Sequence, residues 1–286
     1  MRKIFLCDGH NLAFRAFYGI KELKRSDGFP TNMIHGWLKS FWRIEEDFSP
    51  DAIWVFFDLG GCHKRESILP EYKANRGAPP EGFLEQLNWV KKLTVAMGYG
   101  LVEEDGREAD DLIAAKAKQL TLEDEVVIVS ADKDLGQLVG PNVSQLLPPP
   151  TANPKIGWRL LNAEGIQKKF GVSPDLVVDY LSLIGDQSDN IPGLSGVGPK
   201  TAVKWLKEWG NLEGIISNAG RISPKRFCSI VYEQKDIILR NRELIKLDEE
   251  PFNNHVEPST PNLLEIKRIL SAMEMRKSLE DAIERY

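Results

Sequence analysis

Cysteine and histidine are scarce in this chain: three cysteines (Cys7, Cys62, Cys228) and four histidines (His10, His35, His63, His255) in 286 residues. None form a Cys-x-x-Cys pair or a zinc spacing, which excludes a disulfide framework and a structural zinc site and points to a reducing, cytoplasmic setting. No apolar run approaches the roughly 18 residues needed to span a bilayer, and the first residues enter an apolar strand pattern without a signal-peptide signature. A soluble protein without membrane contact is expected. Internal repeats and low-complexity tracts are also absent. The net charge of -5 lacks the excess of basic residues usual in nucleic-acid binders. Its distribution matters more than its sum, because basic residues gather locally in Lys64 to Arg76 and Lys155 to Lys169.

Apolar residues make up 42% of the chain, enough to bury a large core in one α/β unit or two unequal domains. Three short runs stand out: Ile4 to Cys7, Ile53 to Phe57 and Val126 to Val129. Each is rich in Ile, Val, Leu and Phe, is separated from the next by helical patterns, and reads as a buried parallel strand. Each also leads into an aspartate: Asp8, Asp58 and, slightly later, Asp132. Ligands of an open parallel sheet gather at the strands' carboxyl ends. Carboxylates brought together there repel one another, and divalent cations such as Mg²⁺ or Mn²⁺ relieve the repulsion.

Helical spacing covers Leu12 to Lys24, Met33 to Asp47, about Glu81 to Met97 and Glu108 to Gln119. Gly60 to Pro80 is polar, basic and rich in glycine and proline, and reads as a mobile, partly helical excursion over the site. The prolines 148 to 150 then change the texture, and helices dominate afterwards: Ala163 to Phe170, Pro174 to Ile184, Lys200 to Trp209, Lys235 to Asn241 and a last one near Asn262 to Ile283. The expected division is an α/β core at 1–160, with a clamp region at about 60–95, followed by a helical subdomain at 161–286.

Further acids sit at element ends. Glu108-Ala109-Asp110-Asp111 opens a helix, and its three carboxylates can converge only if the segment is a turn entering that helix. For this motif alone, simple capping of the helix dipole is the better explanation. Asp132-Lys133-Asp134 follows a strand, where i, i+2 spacing puts both acids on one side if extended geometry persists. Asp186 and Asp189 lie in Gly185 to Gly193, which reads on its own as a polar turn. Four acidic clusters together make the bland readings less tenable than each is alone. Hard cations need oxygen ligands, and Mg²⁺ takes only one or two direct carboxylates, so nine acids suggest two metals. Gly196-Val197-Gly198-Pro199-Lys200-Thr201-Ala202 places two glycines before a helix start, where backbone N–H groups can hold a phosphate.

In their order, Asp8 to Arg15, Phe57-Asp58, Glu108 to Asp111, Asp132 to Asp134, Gly185 to Gly193 and Gly196 to Ala202 resemble the motifs of the 5′ nucleases, the flap endonucleases and the 5′-to-3′ exonuclease domain of bacterial DNA polymerase I. The resemblance runs end to end. It implies a PIN-like sheet, a helical arch and a helix-hairpin-helix (H3TH) at about 185–210. It also implies that Asp8, Asp58, Glu108, Asp110, Asp111 and Asp132 surround one metal while Asp134, Asp186 and Asp189 serve the other. Leu69 to Arg76 looks like the base of the arch, with Lys73 and Arg76 contacting the reacting phosphate alongside the catalytic Asp110. Tyr72 is expected to stack on an unpaired base, Lys64 and Arg65 to guide the single strand, and Arg15, Gly196, Gly198, Lys200 and Thr201 to touch DNA. The cofactors implied are two Mg²⁺, replaceable by Mn²⁺, and the family's hairpin often binds a monovalent ion such as K⁺. The substrate implied is DNA with a 5′ flap, nick or overhang, including RNA-primed DNA, acted on by a monomer in replication or repair. Ala131 stands where polymerase-type sequences commonly have glycine, which removes no ligand. Met273 to Leu279 resembles the end of the nuclease unit, with no polymerase expected to follow. Two rival readings are a PIN-like ribonuclease and a non-catalytic junction-binding protein.

Overall fold

The structure, a computed structural model, describes residues 1–286. The chain runs β1 (Lys3–Asp8), α1 (Gly9–Gly19), α2 (Asn32–Phe48), β2 (Ala52–Asp58), α3 (His63–Ile68), α4 (Phe83–Ala96), β3 (Gly100–Glu104), α5 (Ala109–Gln119), β4 (Glu125–Val129) and β5 (Val143–Leu147). It continues through β6 (Arg159–Leu161), α6 (Ala163–Phe170), α7 (Val177–Ile184), β7 (Gly185–Asp186), β8 (Ile191–Pro192), α8 (Pro199–Trp209), α9 (Leu212–Ser217), α10 (Phe227–Glu233), α11 (Lys235–Ile245), β9 (His255–Val256), α12 (Leu263–Ala272) and α13 (Arg276–Arg285). The main sheet has the order β6-β5-β4-β1-β2-β3-β9, parallel except at its two edge strands.

All three apolar runs are strands of this sheet, and their neighbours explain why. In β1 and β2, alternate side chains face opposite layers. Phe5, Cys7, Ile53, Val55 and Phe57 join a core with α1, α2 and α4, while Ile4, Leu6, Trp54 and Phe56 join one with α5. Strands covered on both faces must be apolar throughout, which is the pattern the sequence displays. β1 lies centrally between β2 and β4, with Asp8 opposite Phe56. The chain builds first to one side of β1 and then to the other, so the strand order reverses beside Asp8.

The helical body begins beside the expected break at residue 160 but ends well before residue 286. Residues 162 to 245 form a helical body with its own core around Trp205, Leu206, Ile215 and Ile238. The chain then returns: β9 pairs antiparallel with β3, and Ile266, Ile269 and Leu270 of α12, with Met273 just after it, sit in the same core as Phe5 and Trp37. Apolar faces on α12 and α13 find cover on α2 and α4 rather than on the helical body. The segment expected to form the arch lies over the acids and is partly helical. Residues 60 to 82 contain one six-residue helix, α3, followed by a turn that Asn75 and Asn190 tie to the carbonyls of Gln187 and Glu71, both at 2.7 Å. The segment is docked on the acids below it.

Candidate active site

Asp8 closes β1 and caps α1, accepting the Asn11 N–H at 2.9 Å, and its second oxygen accepts the Ser130 hydroxyl at 2.8 Å. Ser130 Oγ in turn accepts the Asp132 N–H at 3.0 Å, so one hydroxyl ties the ends of β1 and β4. Asp58 closes β2 and accepts the Ala109 N–H at 2.6 Å. This contact settles how the Glu108 segment works. Asp58 satisfies the first N–H of α5, which leaves Glu108, with extended backbone geometry, free to turn inward; Asp110 and Asp111 follow in the first turn. The convergence therefore uses the turn into the helix, as the spacing required.

The geometry after β4 differs from the extended run expected for Asp132-Lys133-Asp134. Lys133 is helical, and Asp132 accepts the Asp134 N–H at 3.0 Å to start a short 3₁₀ turn. The turn aims Asp134 at Asp186 and Asp189, and oxygens of these three buried acids lie within 4.8 Å of one another. Asp134 Oδ1 is buried with no hydrogen-bond partner. An unpartnered anionic oxygen among two other carboxylates is costly in a protein interior. It is the donor set a hard divalent cation takes.

Charge crowding shows in the titration of these groups. Burial pushes the Asp8 carboxyl up to about 7, opposed by the Asn11 N–H and Ser130 hydroxyl and reinforced by Asp58 and Asp132. Burial also pushes Asp110 well above the carboxylate range, with Arg65 offsetting only part of the effect. Asp134 is raised likewise, by burial and then by Asp132 and Asp186. Glu108 moves the other way, because Lys73 and Arg65 outweigh its burial and hold its carboxyl below the ordinary range. Asp186 is also held low: burial raises it, but Lys133, bonded at 2.6 Å, and Ser188 prevail.

The basic segment above the acids is arranged differently from expectation at two positions. Arg65 is 4% exposed and cannot guide DNA. Its guanidinium holds both oxygens of Asp111, at 2.7 and 2.8 Å, bonds Glu108, and donates to the Leu244 carbonyl at 2.7 Å. Asp111 is consumed in that fork and by the Asp248 N–H at 2.8 Å, so it holds Arg65 in place of facing a metal. Cys62 Sγ lies 3.6 Å from the same guanidinium, which fills the space among Cys62, Glu108 and Asp111. Tyr72 is buried rather than available for stacking; its hydroxyl meets Glu108 at 3.0 Å and Asp189 at 3.1 Å. Lys73 bonds Glu108 and approaches Asp189 to 3.7 Å, and Arg76 bonds Asp189 at 2.6 Å. Burial works against the Lys73 charge, but Glu108 and Asp189 outweigh it and keep the amine protonated.

The remaining expected contacts lie apart from this centre. Lys64 is exposed and pairs with Asp248 at 3.3 Å. Arg15 lines a groove of about 310 Å³ with Lys39, Arg43 and Trp158. Gly196 adopts φ +73, a left-handed turn that suits glycine, and Gly198 precedes Pro199 at the start of α8, with Lys200 exposed and Thr201 beside it. Ser130, Gln137 and Asn241 were not singled out from the sequence. Only Ser130 carried a signal, as the polar residue between a strand and an acidic pair.

A family model described as the 5′-3′ exonuclease N-terminal, resolvase-like domain matches residues 3–171. The model of the 5′-3′ exonuclease C-terminal SAM fold matches residues 172–268. The chain belongs to the 5′-3′ exonuclease family. Among relatives of this family, a 5′-3′ exonuclease of Aquifex aeolicus is 34% identical over 98% of this chain and 95% of its own length. A thermostable DNA polymerase I of Thermus thermophilus is 39% identical over 78% of this chain, and the chain spans only 26% of that polymerase. The fold is shared with the T5 D15 protein co-crystallized with metal ions, at a TM-score of 0.72, 22% identity and 99% coverage of both chains. It is also shared with the catalytic core of Rad2 in complex with DNA substrate, at a TM-score of 0.60 and 14% identity over 95% of this chain and 87% of that one.

Proposed function

We propose that this family member is a structure-specific 5′ nuclease that hydrolyses DNA phosphodiesters where single and double strands meet, acting as flap endonuclease and 5′-3′ exonuclease in replication or repair. The reading rests above all on carboxylates from β1, β2, α5 and the loop after β4 converging beneath Lys73 and Arg76. Asp8, Asp58, Glu108, Asp110 and Asp132 would hold one Mg²⁺, and Asp134, Asp186 and Asp189 a second; Mn²⁺ would serve in its place, and K⁺ would sit at the hairpin. Two such ions, when bound, supply an activated water and charge neutralisation at the leaving oxygen. The protein's own share is orientation and fixed charge. Ser130 locks Asp8 to Asp132, Asp58 steers Glu108 inward, and Lys73 presents a permanent cation to a phosphodiester lying over the acids. The hairpin from Gly196 to Thr201 would grip duplex backbone without reading bases.

A 5′-labelled flap duplex should be cut at its junction with Mg²⁺ and left intact in EDTA, and Asp110→Asn should abolish cutting while junction binding persists. Binding without cleavage in either metal would favour the non-catalytic reading, and cleavage confined to RNA would favour the ribonuclease. Lys200→Ala should weaken duplex binding and lower the slope of log affinity against log salt by about 1. An unchanged isotherm across salt would remove the phosphate contact.

Ion binding should also be visible in stability. A carboxyl raised to about 7, as Asp8 is, favours folding only while it keeps its proton, and that contribution is lost as pH climbs from the ordinary carboxylate range through 7. Divalent cations offset this loss where the acids are ionised. Mg²⁺ should therefore raise Tm more at pH 8 than at pH 5. An equal rise at both would separate ion binding from these acids.

A further inference from the structure

The segment from Asn241 to Asp248, the end of α11 and the residues leaving it, belongs to neither the acids nor the duplex-binding hairpin. It nevertheless bonds to three acid-bearing parts of the site. Asn241, fully buried, donates from Nδ2 to the carbonyls of Ser182 at 3.1 Å and Pro192 at 2.7 Å, the two arms that flank the Asp186–Asp189 loop. Gln137, three residues after Asp134, donates from Nε2 to the Asp134 carbonyl at 2.9 Å and the Ile245 carbonyl at 3.1 Å; its Oε1 accepts the Leu247 N–H at 3.1 Å. Arg65 reaches the Leu244 carbonyl at 2.7 Å while holding Glu108 and Asp111, and the Asp248 N–H returns to Asp111.

We infer that the segment Asn241–Asp248 is a strut that sets the spacing of the carboxylates, and that Asn241 and Gln137 are positioning residues for the Asp134, Asp186 and Asp189 cluster. The cluster draws its members from two loops with no covalent connection near the site. Asp134 comes from the turn after β4, and Asp186 and Asp189 come from the loop between α7 and α8. The two loops meet directly through a part-exposed side chain, Lys133 on Asp186 at 2.6 Å. The strut adds a second tie, because Asn241 on it holds both arms of the Asp186 loop, while Gln137 on the Asp134 turn grips the strut backbone at Ile245 and Leu247, four and six residues further on. Asn241 is fully satisfied only when both arms of the Asp186 loop are in place. Gln137 is satisfied only when the Asp134 turn abuts the end of α11. The same element continues from α10, next to the hairpin, where Gln234 Oε1 faces the Ser195 N–H at 3.5 Å. The arrangement gives the helical body a rigid connection from the proposed duplex grip to the acids.

The inference rests on the two-ion reading and is tested by ion binding rather than by turnover. Mn²⁺ would be titrated into the full-length protein without DNA and followed by the EPR signal of free ion, in wild type, Gln137→Met and Asn241→Leu. Asn218→Leu provides a control, because Asn218 Nδ2 bonds only the Gly214 carbonyl in its own helix. Supporting residues of this kind change metal affinity by about 10–100-fold. Gln137→Met should weaken one class of Mn²⁺ sites by that factor, Asn241→Leu should do the same, and Asn218→Leu should match wild type. Duplex affinity measured in EDTA should stay the same in Gln137→Met. If Asn241→Leu fails to fold, Gln137→Met alone decides. Wild-type Mn²⁺ affinity in Gln137→Met, or an equal loss in the Asn218 control, overturns the strut while leaving the two-ion reading intact. A wild-type protein that binds no Mn²⁺ overturns both.

Discussion

Replacing Lys73 with alanine should lower single-turnover cleavage of a flap substrate by about 10²–10³-fold, the usual effect of removing one preorganised charge from a reacting centre. Duplex affinity should barely change. Lys73 is only 21% exposed at its side chain and is aimed at Glu108 and Asp189 rather than at solvent, so its charge is fixed before any substrate arrives. Its backbone sits at φ +55, a left-handed conformation, and its N–H donates to the Asp189 carbonyl at 3.0 Å. Alanine keeps the same Cβ and the same backbone penalty, so the substitution isolates the charge; glycine would relax the turn and confound the result. Arg76 is half exposed and pairs with Asp189 alone, and its replacement should cost less. Rate and affinity would be compared with Mg²⁺ for cleavage and Ca²⁺ for binding. Parallel losses in both would make Lys73 a docking residue.

The parts of this site that sequence exposed are those for which one residue type has one job. Asp8 and Asp58 end strands buried on both faces, where a carboxylate has no packing purpose, so their presence after apolar runs was informative. Strand β3 escaped notice because only Leu101 and Val102 in it are plainly apolar, and β5 because Ser144 and Gln145 interrupt it. Gln145 is fully buried; its Nε2 donates to the Ser130 carbonyl at 3.1 Å and to the Asp132 carbonyl, while its Oε1 has no partner. The return of α12 and α13 to the sheet was equally hidden, since an amphipathic helix declares that it will be covered without declaring by what. Charge was the least legible property. Lys64, Arg65, Lys73 and Arg76 read alike as a basic run, yet two are exposed, one is fully enclosed and one lies between. Their sorting depends on acids about 35 to 180 residues away.

Arg65→Ala should destabilise the protein by about 3–5 kcal/mol at neutral pH, the cost of leaving a buried charge without its partner. Two acids are affected at once, since Glu108 and Asp111 are both buried and both depend on this guanidinium. The Leu244 carbonyl loses its donor as well. Lysine would be an incomplete replacement, because a point charge cannot reproduce the fork that spans Asp111. The pH dependence carries the sharper test. In the intact protein Glu108 titrates below the ordinary carboxylate range, with Lys73 and Arg65 overcoming its burial. Its contribution to stability is therefore fully present above the unfolded value of about 4.3 and is lost as pH falls through the lower folded value. Without Arg65, burial regains ground on Glu108 and the carboxyl rises, so protonation relieves the variant before it harms the wild type. The gap between the two proteins should be widest near pH 7.5 and should narrow as pH approaches 4, as read from urea unfolding at each pH. A deficit under about 1 kcal/mol at pH 7.5, the size expected of an exposed pair, would mean that water reaches Glu108 and Asp111 and that Arg65 does not hold the acids apart.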